Sequence, residues 1–283
     1  MQQIQATTVK AFTKNPKLGN PALVIDADLD SEEAMRLVRE SACTVAAIID
    51  TRKKPIPIRF LYENGATETF ACGHATLAAA HLAFPPQSQV MEGKFVNTKG
   101  TVIEATRFPD GKISQTQSLP GFRDLEIPKE ALAEILHIDH ILESLPIQLV
   151  GAPGKMKLMI PVTLENLLKI QRDFQAIRAF CTRYSTDEDP ITGLFPFALE
   201  TEALDAHARH FPNRDEEDLV CGVGSIALAE YLQKHLRSSQ QEFLIRCGPG
   251  LEGMGDLTVR MEGAGSAKKI YLEGYAISVF CGV

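Results

Sequence analysis

Short alternating runs of polar and apolar residues recur along both halves of the chain, and two longer stretches are apolar almost all round. Residues 4–12 carry β-branched side chains in partial alternation and read as a strand. Gly19-Asn20-Pro21 is a turn signal, and 22–25 reads as the next strand. Ser31 is placed to cap a helix running to about Glu40, with Glu32 and Glu33 in its first turn. Strands are expected at 44–50 and 56–62, then a helix over about 73–82 that stops before Pro85-Pro86. Lys99-Gly100 joins strands at 94–98 and 101–107 as a hairpin. The second half repeats this style. It shows strand signals at 155–161 and 193–199, and a helix over about 164–180. Another helix runs from Gly222 to about His235, with strands at 257–261 and 270–280.

The helices that begin at Gly73 and Gly222 have no polar face over 76–83 and 226–232, the pattern of a helix buried on every side. What precedes them also matches. Residues 70–78 read F-A-C-G-H-A-T-L-A and residues 219–227 read L-V-C-G-V-G-S-I-A: apolar, small, Cys-Gly, then a helix of small and apolar residues. The two segments lie about half a chain apart. The expectation is two similar lobes, each with strands around a central helix, facing each other across a cleft.

Composition narrows the function. The 283 residues are 45% hydrophobic and 23% charged, with net charge -7 and pI about 5.6. Acidic residues are spread out, with one cluster at 215–218, so neither nucleic acid nor an anionic membrane is an expected partner. No apolar run approaches the roughly 18 residues that span a bilayer, and the N-terminus has no secretory pattern, which makes the cytoplasm the expected location. Of six cysteines none forms a C-x-x-C pair, and no histidine lies at metal-ligand spacing from a cysteine pair, so no metal site is expected. In a reducing compartment they are free thiols, and for Cys181, Cys247 and Cys281 a buried apolar role is the default.

Cys72 and Cys221 invite a chemical reading. A helix start offers unpartnered N–H groups and the positive end of the helix dipole, which lowers the pKa of a thiol there. A following glycine lets a ligand approach the backbone. Donors at two such starts, Gly73-His74 and Gly222-Val223-Gly224, would hold one carboxylate and stabilise the enolate-like charge when its α-carbon loses a proton. Racemisation needs a base on one face and an acid on the other, with one cysteine thiolate and the other thiol, a coupled titration. There is no G-x-G-x-x-G after a strand, no P-loop and no pyridoxal-phosphate lysine context, so no cofactor is expected. The glycine-rich 248–255 ends without Lys-Ser/Thr and reads as a loop at the cleft rim.

These residues resemble the phenazine-biosynthesis-like (PhzF-like) isomerase family, within the diaminopimelate epimerase and proline racemase superfamily. Phe12-Thr13 and Gly19-Asn20-Pro21-Ala22 resemble its opening F-T…G-N-P-A. Residues 68–78 are similar to its E-x-x-x-C-G-H-A-T-L-A. Arg209-His-Phe-Pro212 with Glu217-Asp218 is similar to its later R-x-F…E-D region. The resemblance implies an α+β fold of two pseudo-symmetric diaminopimelate-epimerase-like lobes, each a barrel-like mixed sheet around a central helix, with the active site between them. The lobes are expected to be 1–115, completed by 268–283, and 116–267. A homodimer follows from the family analogy alone.

Two departures qualify the resemblance. The family's early S-E-T-A-F, whose Glu shuttles the proton, is matched by Ala42-Cys43-Thr44-Val45-Ala46, so Cys43 stands where that Glu would be. The family's T-G-S-A-H is replaced by Cys221-Gly222-Val223-Gly224-Ser225, similar to the C-G-T-G that carries the second catalytic cysteine of diaminopimelate epimerases and proline racemases. Cys72-Gly73-His74 resembles the C-G-H carrying the first in proline racemases. Other roles stay open. Cys43 is structural or a third acid/base group. His74 orients substrate or bonds nearby backbone. Asp218 is a solvated charge or lines the site, and Asn20 shapes the turn or contacts substrate. Arg209 or Arg214 binds a second carboxylate or pairs with the acidic cluster.

The function expected is a cofactor-independent isomerase: a two-cysteine racemase or epimerase acting at the α-carbon of an amino acid or related small carboxylic acid. Its rivals are a PhzF-like double-bond isomerase with Asp218, His74 or Cys43 as shuttle, and a catalytically silent binding protein. Which acid is the substrate depends on loop geometry that the linear order does not contain.

Overall fold

The structure, a computed structural model, describes residues 5–41, 43–62, 68–69, 71–152, 154–188, 190–199, 205–236 and 239–279. Ala42, Phe70 and Cys281, singled out above, lie outside these residues, as do Ile4 and Phe280 at the ends of two expected strands. The elements in chain order are β1 Gln5–Ala11, β2 Asn20–Asp26, α1 Ser31–Glu40, β3 Val45–Ile49, β4 Ile56–Tyr62, β5 Glu68–Thr69, α2 Gly73–Ala83, β6 Met91–Val96, β7 Val102–Arg107 and β8 Ile113–Gln117. They continue with β9 Gly121–Arg123, α3 Lys129–Leu136, β10 Gln148–Ala152, β11 Lys155–Pro161, α4 Leu164–Lys169, α5 Phe174–Tyr184 and β12 Ile191–Leu199. The last are β13 Ala206–Ala208, β14 Phe211–Pro212, α6 Gly222–His235, β15 Glu242–Cys247, β16 Gly255–Glu262, β17 Lys269–Gly274 and β18 Ala276–Val279. No helix among the described residues is long and apolar enough to cross a membrane.

The chain forms two compact units, Met1–Gln117 with Tyr271–Val283, and Ser118–Ile270. In the first, β1 lies antiparallel between β2 and β18. The sheet runs on through β3 (parallel to β2) and β4 to β6, β7 and β8, and β8 pairs with β17. Helix α2 packs against β1, β2, β3, β7, β8 and β18, so the sheet curls around it. Its Ala75 to Ala80 are buried, as a helix without a polar face requires. Strand alternation sends Leu23, Ile25, Ala46 and Ile48 to the other face, where they meet Ala34, Met35 and Val38 of α1.

The second unit is layered in the same manner. β9, β10, β11 and β12 run on to β13, β15 and β16. Helix α6, buried from Gly224 to Leu232, packs on β10, β11 and β16. Leu158 and Ile160 of β11 and Leu194 of β12 point the other way, into a cluster with Leu132, Leu167, Ile177 and Phe180 of α3, α4 and α5.

Three details differ from the sequence reading. Asp30, not Ser31, caps α1: its carboxylate accepts from Glu33 N at 2.9 Å, and the Ser31 hydroxyl is taken by Arg59 at 2.6 Å. The helix expected over 164–180 is two, α4 capped by Thr163 and α5 by Asp173. The break is held open by Arg209, whose guanidinium donates to the carbonyls of Leu167 and Ile170 at 3.1 and 3.0 Å. The strand over 270–280 is interrupted at Tyr275, where the chain leaves β8 as partner and joins β1.

Candidate active site

Cys72 is the N-cap of α2 and Cys221 the N-cap of α6, both buried. Each start is built alike. The Cys72 carbonyl accepts from Thr76 N and Thr76 Oγ1, both at 2.9 Å. The Cys221 carbonyl accepts from Ser225 N at 3.0 Å and Ser225 Oγ at 2.9 Å. The glycines within them serve packing. A Cβ on Gly73 would stand 2.8 Å from Leu272 Cδ2, and one on Gly224 would stand 2.2 Å from the Phe195 ring.

Around Cys72, Tyr62 Oη lies 3.9 Å and His74 Nδ1 3.5 Å from Sγ. The carbonyl of Gly73 accepts from Gln115 Nε2 at 2.6 Å. Asn20 is buried at the first position of β2, opposite Ala11 and directly after Gly19 at φ +84°. Cys43 sits in the apolar cluster under α1, its Sγ 3.8 Å from Thr8 Oγ1.

Around Cys221 the groups are more numerous and more charged. Gly224 N donates to Cys221 Sγ at 3.3 Å, which takes one N–H out of the expected carboxylate-binding set; Gly222 and Val223 precede it on the first turn. Cys247 Sγ accepts from the Cys221 backbone and lies 3.5 Å from Ser225 Oγ. Asp218 is no solvated charge. Its N donates to the His210 carbonyl at 3.1 Å, and its Oδ2 lies 3.0 Å from His210 Nδ1. That contact selects the tautomer with the proton on Nδ1. His210 Nε2 is then buried with no hydrogen-bond partner among the described residues. Gly193 makes the position possible, since a Cβ there would stand 2.7 Å from Nε2.

Burial pushes the Cys221 thiol well above the ordinary thiol range; the Asp218 charge adds to this and Lys157 offsets part of it. The expectation that a helix start lowers this thiol is therefore corrected: with the sulfur enclosed, desolvation of the thiolate outweighs the helix terminus. Burial first, then the Lys157 charge, holds His210 down to about 4, so the imidazole is neutral near pH 7. Burial pushes Cys247 up to about 12. His210, Asp218 and Cys221 bring ligand atoms within 4.8 Å of one another, a spacing a divalent cation could use. Burial pushes the Lys157 amine down, and the charges of Cys221 and Asp218 offset part of this.

The arginines of the acidic cluster pair within it. Arg209 makes a two-pronged ion pair with Glu217 at 2.9 and 3.0 Å, joined by Arg172 at 2.7 Å, and Arg214 meets Glu216 at 3.4 Å. The residues 248–254 form the loop of the β15–β16 hairpin. Sequence reasoning missed His210 and Lys157 as site residues. Neither stands in a motif for its chemistry; the fold brings His210 within 4.8 Å of Cys221, and Lys157 acts on that thiol through its charge.

A family model described as "Phenazine biosynthesis-like protein" matches residues 9–282. The chain belongs to this family. It is 26% identical to an uncharacterized isomerase, YfhB, of Bacillus subtilis (strain 168), over 98% of this chain and 97% of that one. It is 28% identical to an uncharacterized isomerase, YddE, of Escherichia coli (strain K12), over 98% and 96%. With such relatives this phenazine biosynthesis-like protein is placed as an enzyme of the isomerase class. A Bacillus anthracis PhzF-family crystal structure superposes with TM-score 0.83 at 22% identity, covering 99% of this chain and 98% of that one. A probable proline racemase from Agrobacterium radiobacter K84 superposes with TM-score 0.67 at 10% identity, covering 97% and 91%. These likenesses establish the fold, the one that phenazine biosynthesis-like proteins share with that racemase.

Proposed function

We propose that this protein is a cofactor-independent racemase or epimerase acting at the α-carbon of an amino acid or related small carboxylic acid, with Cys72 and Cys221 as its acid and base. The observation that carries the reading is the matched pair of helix starts, each capped by a cysteine whose carbonyl is held by the hydroxyl residue four positions on. One cysteine, as thiolate, takes the α-proton. The C–H electron pair moves into the carboxylate as an enolate, held by N–H groups of Gly73 and His74 and of Gly222 and Val223. The other cysteine, as thiol, returns a proton to the opposite face, and the two have exchanged roles. Solvent deuterium incorporation across a panel of L-amino acids, proline and hydroxyproline included, tests this. Cys72→Ser and Cys221→Ser should each lower exchange at least about 100-fold, the scale of a lost acid–base group. Unchanged exchange in both variants would sink the mechanism.

The His210–Asp218 pair favours a second reading: a double-bond isomerase in which Asp218 takes the place of the family's Glu as proton shuttle. That enzyme keeps its activity in Cys221→Ser and loses it in Asp218→Asn.

A further inference from the structure

The two-cysteine mechanism uses one of three unlike donors that meet at the start of α6. One imidazole nitrogen of His210, one oxygen of Asp218 and Cys221 Sγ lie within 4.8 Å of one another, the one group of three such donors among the described residues. Local structure holds all three. His210 and Asp218 are tied twice, Asp218 N donating to the His210 carbonyl at 3.1 Å and His210 Nδ1 meeting Asp218 Oδ2 at 3.0 Å. The neighbouring rung, Arg209 with Glu217 at 2.9 and 3.0 Å, is almost fully buried. Cys221 follows in the sequence Asp218-Leu-Val-Cys221, and Ser225 fixes its carbonyl. Ligands held in this way lose little freedom on binding. His210 is 4% exposed, and its Nε2 has no hydrogen-bond partner among the described residues. A buried ring nitrogen left open in this way points to a ligand that the chain does not itself supply.

We propose that His210, Asp218 and Cys221 form a binding site for one divalent cation of the zinc class, and that its occupancy takes Cys221 out of acid–base chemistry; the second clause rests on the two-cysteine reading. Sulfur, imidazole nitrogen and carboxylate oxygen together suit Zn2+ and Co2+, whereas Mg2+ and Ca2+ take oxygen ligands. Metal bonds of about 2.0–2.3 Å at tetrahedral angles separate ligand atoms by about 3.3–3.6 Å, so the widest spacing here closes by about 1 Å. Three protein ligands leave a fourth position open. The Asp218 side chain, 19% exposed, is the route by which the site meets solvent. As the sulfur–metal bond forms, the thiol proton leaves to solvent, and thiolate with carboxylate balances the two positive charges. Gly224 N, 3.3 Å from Sγ, already donates to the sulfur, an outer contact that a metal-bound thiolate retains. Lys157 opposes the cation, since its charge acts on His210 and Cys221, but burial pushes that amine down, toward its uncharged form.

The test is titration of the full-length protein with Co2+, followed by the thiolate-to-cobalt charge-transfer band in the near ultraviolet. The band should saturate at one Co2+ per chain and be displaced by Zn2+. Cys221→Ser should abolish it, while His210→Gln and Asp218→Asn should each weaken binding at least about 10-fold. Cys72→Ser should leave the band in place. No saturable band in the wild-type protein, or a band that survives Cys221→Ser, overturns the proposal. If Cys221→Ser does not fold, Asp218→Asn carries the test, and unchanged Co2+ affinity there overturns it as well. For the second clause, one equivalent of Zn2+ should stop α-proton exchange, and chelation with EDTA should restore it. Saturable binding by a protein that exchanges no α-proton on any substrate keeps the metal site and drops the two-cysteine reading. Exchange that is lost in both cysteine variants but untouched by Zn2+ does the reverse.

Discussion

The starts of α2 and α6 share a backbone design and differ in what surrounds the sulfur. Both put a cysteine at the N-cap, and both have its carbonyl bound by a hydroxyl four residues later. At Cys72 the neighbours of the sulfur are a tyrosine hydroxyl and an imidazole. At Cys221 they are a backbone N–H at 3.3 Å and the ligand atoms of His210 and Asp218 within 4.8 Å, and burial dominates the balance. A helix terminus offers a fixed, modest favour to a thiolate. Whether that favour wins depends on how much water the sulfur keeps and which charges share its enclosure.

The largest effect that separates the two surroundings is expected at Glu217. Its carboxylate and the Arg209 guanidinium are both almost fully buried, and the pair anchors the segment that delivers Asp218. Glu217→Ala leaves that guanidinium unpaired and should cost about 3–5 kcal/mol in denaturant unfolding. A loss under about 1 kcal/mol would mean that the Cys221 surroundings are held some other way.

The pH dependence of stability comes next. The folded protein holds His210 at about 4, below the unfolded value of 6.5, so between these values the unfolded chain binds more protons and stability must rise with pH. Acidification from pH 6.5 to 4 should therefore lower Tm, with His210 contributing at most about 1.4 kcal/mol per pH unit. His81 in the first unit, held down to about 4 by burial and by Arg107, acts in the same direction. Replacing His210 by Gln should flatten the profile; an unchanged profile would show that His210 takes up its proton while folded.

The paired glycines give a smaller contrast. Gly224→Ala drives a methyl into the Phe195 ring and should destabilise by about 1–3 kcal/mol, whereas Gly73→Ala meets only the end of the Leu272 side chain and should cost less. The reverse ranking in thermal unfolding would contradict the tighter packing assigned to α6. Smallest of all, Tyr62→Phe removes one long contact to Cys72 Sγ and should change stability by no more than about 1 kcal/mol.

Much of the scaffold is legible in the linear order because its signals are local. The bounds of α6, β4 and β11 follow from periodicity and punctuation. β8 is missed because Ile113-Ser-Gln-Thr-Gln117 is mostly polar, yet Ser114 and Gln115 are buried. Their partners are Glu273, far along the chain, and the Gly73 carbonyl. β13 hides likewise, since His207 is buried against the carbonyl of Gly248. A polar residue reads as exposed until its distant partner is known.

That two cysteines start two buried helices is readable in the linear order, because Cys-Gly, the small residues after it and the absence of a polar face are features of one short segment. What kind of thiol Cys221 is follows from its surroundings in the fold. Burial sets it first, the nearby Asp218 charge adds to it, and Lys157, far earlier in the chain, offsets part of it. Ionisation is set by the charges and the water within a few ångströms, and proximity of that kind is a property of the fold.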